Sequence, residues 1–154
     1  MKHLLFIFAI LVSLNFFAQQ RRIIVDKPHL MLYVVEQTDT IFKAPVCVGK
    51  NLGDKVKSGD CRTPEGKFTV SQIQSSKAWT HDFKDGKGER KGAYGPWFIR
   101  LKMPRWTSIG IHGTCFPERI GTRDSEGCIR LNNDDLLVLK PLVEIGMPVE
   151  ILPD

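Results

Sequence analysis

The chain has 154 residues, a formal net charge of +5 and four cysteines. That length suits one domain and is short for two. The charge is spread and forms no basic stripe interleaved with aromatics, which excludes a nucleic-acid reader. With no CxxC pair, thioredoxin-like redox chemistry and zinc knuckles lack their spacing.

The opening segment, MKHLLFIFAILVSLNFFAQQ, sets Lys2 and His3 ahead of an apolar run from Leu4 to Val12, and then reaches Phe16, Phe17 and Ala18. A charged start, an apolar middle and a small residue make a secretory signal. Residues 1–18 are therefore read as a signal peptide cleaved after Ala18, and residues 19–154 as the mature domain, in the periplasm or cell envelope. The run is short for a spanning helix and is broken by Ser13 and Asn15, so no membrane span is expected after cleavage. Cleavage removes Lys2 and no acidic residue, leaving +4. Export permits disulfides among Cys47, Cys61, Cys115 and Cys128, but a chain of this size buries a core without them.

From Arg22 onward the pattern is short and β-like. Apolar runs fall at Ile23–Val25, Leu30–Val35 and Ile41–Val48, and the short polar link Glu36–Thr40 makes the last two a hairpin. GKNLGDKVKSGDCRTPEGKF is a long turn-rich loop, of the kind that carries function in a compact domain, leading into a strand at Lys67–Ile73. Residues 74–95 are polar and glycine-rich, with Trp79, Phe83 and Tyr94 embedded, and read as an insertion or lid. PWFIRLKM and TSIGIHGT supply two more strands. NNDDLLVLK is the one helix, with Asn132 or Asn133 as N-cap, Asp134 and Asp135 in the first turn, and Leu136, Leu137 and Leu139 on the buried side. Pro141 ends or kinks it, and MPVEIL is a final strand. The expectation is a mainly β single domain, sandwich-like or barrel-like, with one short C-terminal helix.

Acyl transfer by a thiol needs a sulfur on a tight backbone, an imidazole to take its proton, a group to orient that imidazole and N–H donors for the oxyanion. IGIHGT and SEGCIR supply all four. His112 ends a strand-like run and Gly113 turns the chain, bringing its own carbonyl near the ring. Gly127 leaves room beside Cys128, and the N–H groups of both are natural oxyanion donors. If the segment is extended, Cys128 and Arg130 share one face while Ile129 and Leu131 point to the core. Each piece has a plainer reading: a turn histidine, a disulfide cysteine, a surface arginine. The conjunction favours chemistry, because the mature chain has only three histidines and one of them sits just upstream of the Gly-Cys pair.

IGIHGT followed by IGTRDSEGCIRLNNDD resembles the signature of the L,D-transpeptidase catalytic domain (YkuD-type) family: His-Gly, then Ser-x-Gly-Cys-x-Arg. GDCRTPEGKF resembles a second feature of that family, a Thr-Pro-x-Gly-x-Phe turn entering a strand, although alone it is also a generic turn. The resemblance implies that Cys128 is the nucleophile, His112 its general base and acid, and the Gly113 carbonyl the group that orients His112. It implies oxyanion donors at Gly127 and Cys128, and supporting or substrate-positioning roles for Ser125 and Arg130. Many members carry a second histidine where this chain has Glu126. The implied substrates are peptidoglycan stem peptides, as donor and acceptor, handled by a monomer with no metal or organic cofactor. An L,D-carboxypeptidase using the same residues, a non-catalytic wall-binding domain and a disulfide-held structural protein are the alternatives. With Cys128 free, Cys61 and Cys115 remain able to pair.

Overall fold

The computed structural model describes residues 21–154, so the expected signal segment lies outside the described residues. Eight strands form one sheet: β1 (Arg21–Asp26), β2 (Met31–Glu36), β3 (Asp39–Pro45), β5 (Gly66–Ser75), β8 (Trp97–Lys102), β9 (Gly110–His112), β11 (Ile129–Arg130) and β12 (Pro148–Ile151). Two small sheets add β4 (Val48–Gly49) with β10 (Arg123–Ser125), and β6 (Thr80–Asp82) with β7 (Glu89–Lys91). The order of the large sheet is β11-β9-β8-β5-β12-β1-β2-β3. Its two edges meet, because Cys47, two residues beyond β3, exchanges both backbone hydrogen bonds with Arg130 in β11. The mainly β, barrel-like expectation is thus borne out as a curled sheet.

Strand alternation builds the core. Ile23 and Val25 on β1, Leu32 and Val34 on β2, and Val149 and Ile151 on β12 are all buried, while Ile24 and Glu150 between them are not. The expected β2–β3 hairpin forms, turning at Gln37, whose φ is +56°. The expected third run divides, however. Pro45 has no N–H to continue the ladder, so β3 ends there and Val48 restarts as β4 beside β10. The final strand β12 is central, antiparallel to β5 and parallel to β1.

The single helix, α1 (Asn133–Leu139), carries Asp134 and Asp135 in its first turn and passes at Pro141 into one tighter turn, Lys140–Leu142. Leu136 and Leu139 are fully buried, but Leu137 is exposed, contrary to expectation. At 100° per residue, Leu137 points away from a face centred on 136 and 139. Lys27 is buried and paired with Glu65 (2.6 Å) and Asp154 (3.0 Å), which ties the long loop to the last residue.

Candidate active site

Strands β9 and β11 run in parallel at one edge of the sheet, with Ile129 opposite Ile111 and Arg130 opposite His112. Both isoleucines are fully buried in the core. Period-two alternation therefore turns His112, Arg130 and Cys128, two residues before Arg130, to the other face. There they line a cleft of about 730 Å³, with walls from the 55–61 loop, the 105–109 segment and the β6–β7 hairpin. The glycine-rich 74–95 segment thus forms one wall, contributing His81, Phe83 and Tyr94 among others.

His112 is held on every side. Its ring stacks on Phe98 (5.3 Å between centroids, 12°), meets the edge of Tyr94 (4.9 Å) and is only 3% exposed. Nδ1 lies 2.6 Å from the Gly113 carbonyl oxygen, the partner expected from the sequence. Donation of Nδ1–H to that carbonyl leaves Nε2 as the unprotonated nitrogen. Burial pushes the His112 pKa down to about 3; the Gly113 hydrogen bond opposes this and the Arg130 charge adds to it. Burial likewise raises the Cys128 thiol, against the pull of the Gly110 backbone, Arg130 and Arg100. Both shifts favour the neutral forms, a thiol and an imidazole on one face of the sheet. The thiol's partner at rest is the Ser108 carbonyl, at 3.5 Å.

Two layers support these groups. The N-cap of α1, Asn132, makes no side-chain capping bond, and Asn133 follows it as the first helical residue. The Asn133 side chain accepts the Thr114 N–H (2.9 Å) and donates to the Thr114 carbonyl (3.1 Å), fixing the chain just after His112. Gly113 must be glycine at this junction, because a Cβ there would strike Asn133 Oδ1 and lie 2.9 Å from the Cα of Gly95. Under the 125–128 loop, buried Thr63 accepts the Gly49 N–H (2.8 Å) and donates to the Gly127 carbonyl (2.9 Å). The Thr-Pro-x-Gly segment is thus a brace for the cysteine as well as a turn. Neither Asn133 nor Thr63 is legible as a support from the sequence, since their partners lie 19 and 64 residues away.

Gly127 differs from its expected role. Its φ is +131°, and a Cβ would lie 2.8 Å from the Arg62 carbonyl oxygen, so the missing side chain makes room for the protein's own backbone. Its N–H donates to Ser125 Oγ (3.1 Å), while Ser125 Oγ donates to the Cys128 carbonyl (2.6 Å). Ser125 therefore stitches the loop and occupies one of the two expected oxyanion donors. The Cys128 N–H has no acceptor among the described residues. Arg130 is 5% exposed, lies over the Phe83 ring, and has one guanidinium nitrogen, Nη1, without a hydrogen-bond partner, 3.7 Å from Asp124. It is a buried cation rather than a surface ion pair. All four cysteines are free, Cys61 and Cys115 included.

A family model described as the L,D-transpeptidase catalytic domain matches residues 20–151. The chain belongs to the L,D-transpeptidase catalytic domain family. It is 30% identical over 132 residues to a protein from Bacillus licheniformis named putative L,D-transpeptidase YkuD, a match covering 86% of the chain and 66% of that relative. It is 27% identical to the probable L,D-transpeptidase YbiS of Escherichia coli K12, covering 86% of the chain and 44% of that protein. The chain thus spans less than two thirds of the length of these relatives. Among solved structures, an L,D-transpeptidase from Mycobacterium smegmatis superposes with a TM-score of 0.66 at 20% identity, covering 86% of this chain and 58% of that one. The catalytic domain of the Enterococcus faecium L,D-transpeptidase gives 0.64 at 20% identity, covering 87% of this chain and 98% of that one. In this member of the L,D-transpeptidase family, Glu126 makes its contact with His81 of the hairpin wall.

Proposed function

We propose that the chain is an exported L,D-transpeptidase that cross-links peptidoglycan stem peptides through a thioester on Cys128. One observation carries the reading: the β9–β11 register turns Cys128 and His112 to one face, with His112 Nδ1 tied to the Gly113 carbonyl. Substrate entry releases the thiol from Ser108. The S–H proton passes to His112 Nε2 as sulfur attacks the carbonyl between a diamino acid and a terminal D-alanine. Burial of His112 and partial burial of Cys128 disfavour charge on either group before that step.

The Cys128 N–H faces the oxyanion, a donor worth about 3–4 kcal/mol in such a site. The unpartnered Arg130 nitrogen offers a charged donor to a substrate carboxylate or to the oxyanion. Protonated His112 then delivers its proton to the departing D-alanine amine, and the amine of a second stem resolves the thioester. Ser125 and Gly127 hold the loop, and Gly113 orients the base.

The test is intact-protein mass spectrometry after incubation with a carbapenem. The reduced wild type should gain one adduct, and Cys128→Ala none. A reduced wild type that gains no adduct would sink the assignment. With a donor tetrapeptide and an amine acceptor, cross-linked dimer supports transpeptidation, whereas tripeptide alone identifies a carboxypeptidase.

A further inference from the structure

Glu126 lies in the SEGCIR loop, its side chain half exposed at the cleft. Its Oε2 lies 3.1 Å from Nε2 of His81, which β6 brings from 45 residues away. The other ring nitrogen, Nδ1, lies 3.1 Å from Tyr94 Oη. Tyr94 in turn meets His112 edge-on. One neutral tautomer satisfies both contacts: the phenol O–H donates to Nδ1, and Nε2–H donates to the carboxylate. Glu126, His81 and Tyr94 come from three separate segments, and all of them line the cleft that holds Cys128 and His112. A carboxylate, an imidazole and a hydroxyl in series let the hydroxyl pass on a proton, because the imidazole receives it and the carboxylate stabilises the cation formed.

We infer that Glu126, His81 and Tyr94 form a second proton relay in the cleft, which takes the proton from the amine that resolves the Cys128 thioester. The inference rests on the transpeptidase reading above and divides its labour: His112 serves acylation, and the relay serves resolution. The amine nitrogen bonds to the thioester carbonyl carbon, and the carbon–sulfur bond breaks with its electron pair left on Cys128. One N–H proton passes to Tyr94 Oη as the phenol proton moves to His81 Nδ1, giving an imidazolium paired with Glu126. His81 then returns that proton to solvent, and the thiolate takes one back. The net change is amine plus thioester to amide plus thiol.

The discriminating experiment separates the two half-reactions in wild type, His81→Gln, Glu126→Gln and Glu126→Asp. Acylation is read from the rate of carbapenem adduct formation. Resolution is read by rapid-quench mass spectrometry of the acyl-enzyme formed from a donor tetrapeptide, with an amine acceptor present. The expected result is adduct formation within about twofold of wild type in every variant. His81→Gln and Glu126→Gln should accumulate the acyl-enzyme and release product on the order of 100-fold more slowly, the usual scale of general-base catalysis. Glu126→Asp should recover most of that loss. Unchanged product release in His81→Gln overturns the relay. So does a fall in adduct formation equal to the fall in release, since the contact would then only hold the hairpin in place. A wild type that takes no adduct on Cys128 overturns the nucleophile assignment itself, a different failure from wild-type acylation with indifferent variants.

Discussion

His112 makes the domain sensitive to mild acid in a way that can be calculated. An unfolded histidine protonates near pH 6.5, whereas burial against Phe98 and Tyr94 holds the folded ring at about 3. The folded-state value is depressed, so the stability that the neutral ring contributes is full above pH 6.5 and is lost as the pH falls toward 3. At pH 4 the unfolded ring is almost wholly protonated and the folded ring almost wholly neutral, and linkage converts that difference into a loss of about 3 kcal/mol relative to pH 7.5. Asp60 and Asp154, whose pKa values are also lowered in the fold, add acid sensitivity of their own at lower pH. The contribution of His112 is therefore isolated by comparison with His112→Asn, which keeps a donor toward the Gly113 carbonyl and removes the titration. Urea unfolding of both proteins, followed by tryptophan fluorescence at pH 7.5, 6, 5 and 4, should show wild type losing about 3 kcal/mol more than the variant. Parallel pH profiles, separating by less than about 1 kcal/mol, would refute a buried neutral ring.

Thr63→Val keeps the shape but strands the Gly49 N–H and the Gly127 carbonyl, both buried. It should cost about 2–4 kcal/mol in urea unfolding and slow carbapenem acylation, whereas Thr63→Ser should stay near wild type. On α1, Leu136→Ala should cost about 2–5 kcal/mol. Leu137→Lys should change stability by no more than about 0.5 kcal/mol, because that side chain is exposed.

Much of the strand pattern was legible because local alternation and turn chemistry are local properties. The β2–β3 hairpin, β5, β8, β9, α1 and β12 all lie near where the apolar runs and breakers put them. Local pattern and structure part where one residue overrides a run, as Pro45 does, and where the buried face of a three-leucine helix is narrower than its leucines, as at Leu137. Cys128 and His112 stood out as candidates because each is flanked by glycine and the chain has only four histidines. The duties of their neighbours were less legible. Gly127 serves backbone packing against Arg62, and its N–H is taken by Ser125; nothing within SEGCIR marks either contact.

The sequence by itself determined a β-rich chain and set His112 next to the Gly113 carbonyl that its ring bonds, since a carbonyl on the adjacent residue is fixed by covalent connectivity. Only the tertiary structure decided which surroundings those groups share. Closure of the sheet through Cys47 and Arg130, insertion of β12 between β5 and β1, and the seating of His81 against Glu126 all depend on contacts across 45 to 126 positions of chain. Burial lowers the His112 pKa and raises that of Cys128, and burial is a property of the packed whole that no local run of residues carries.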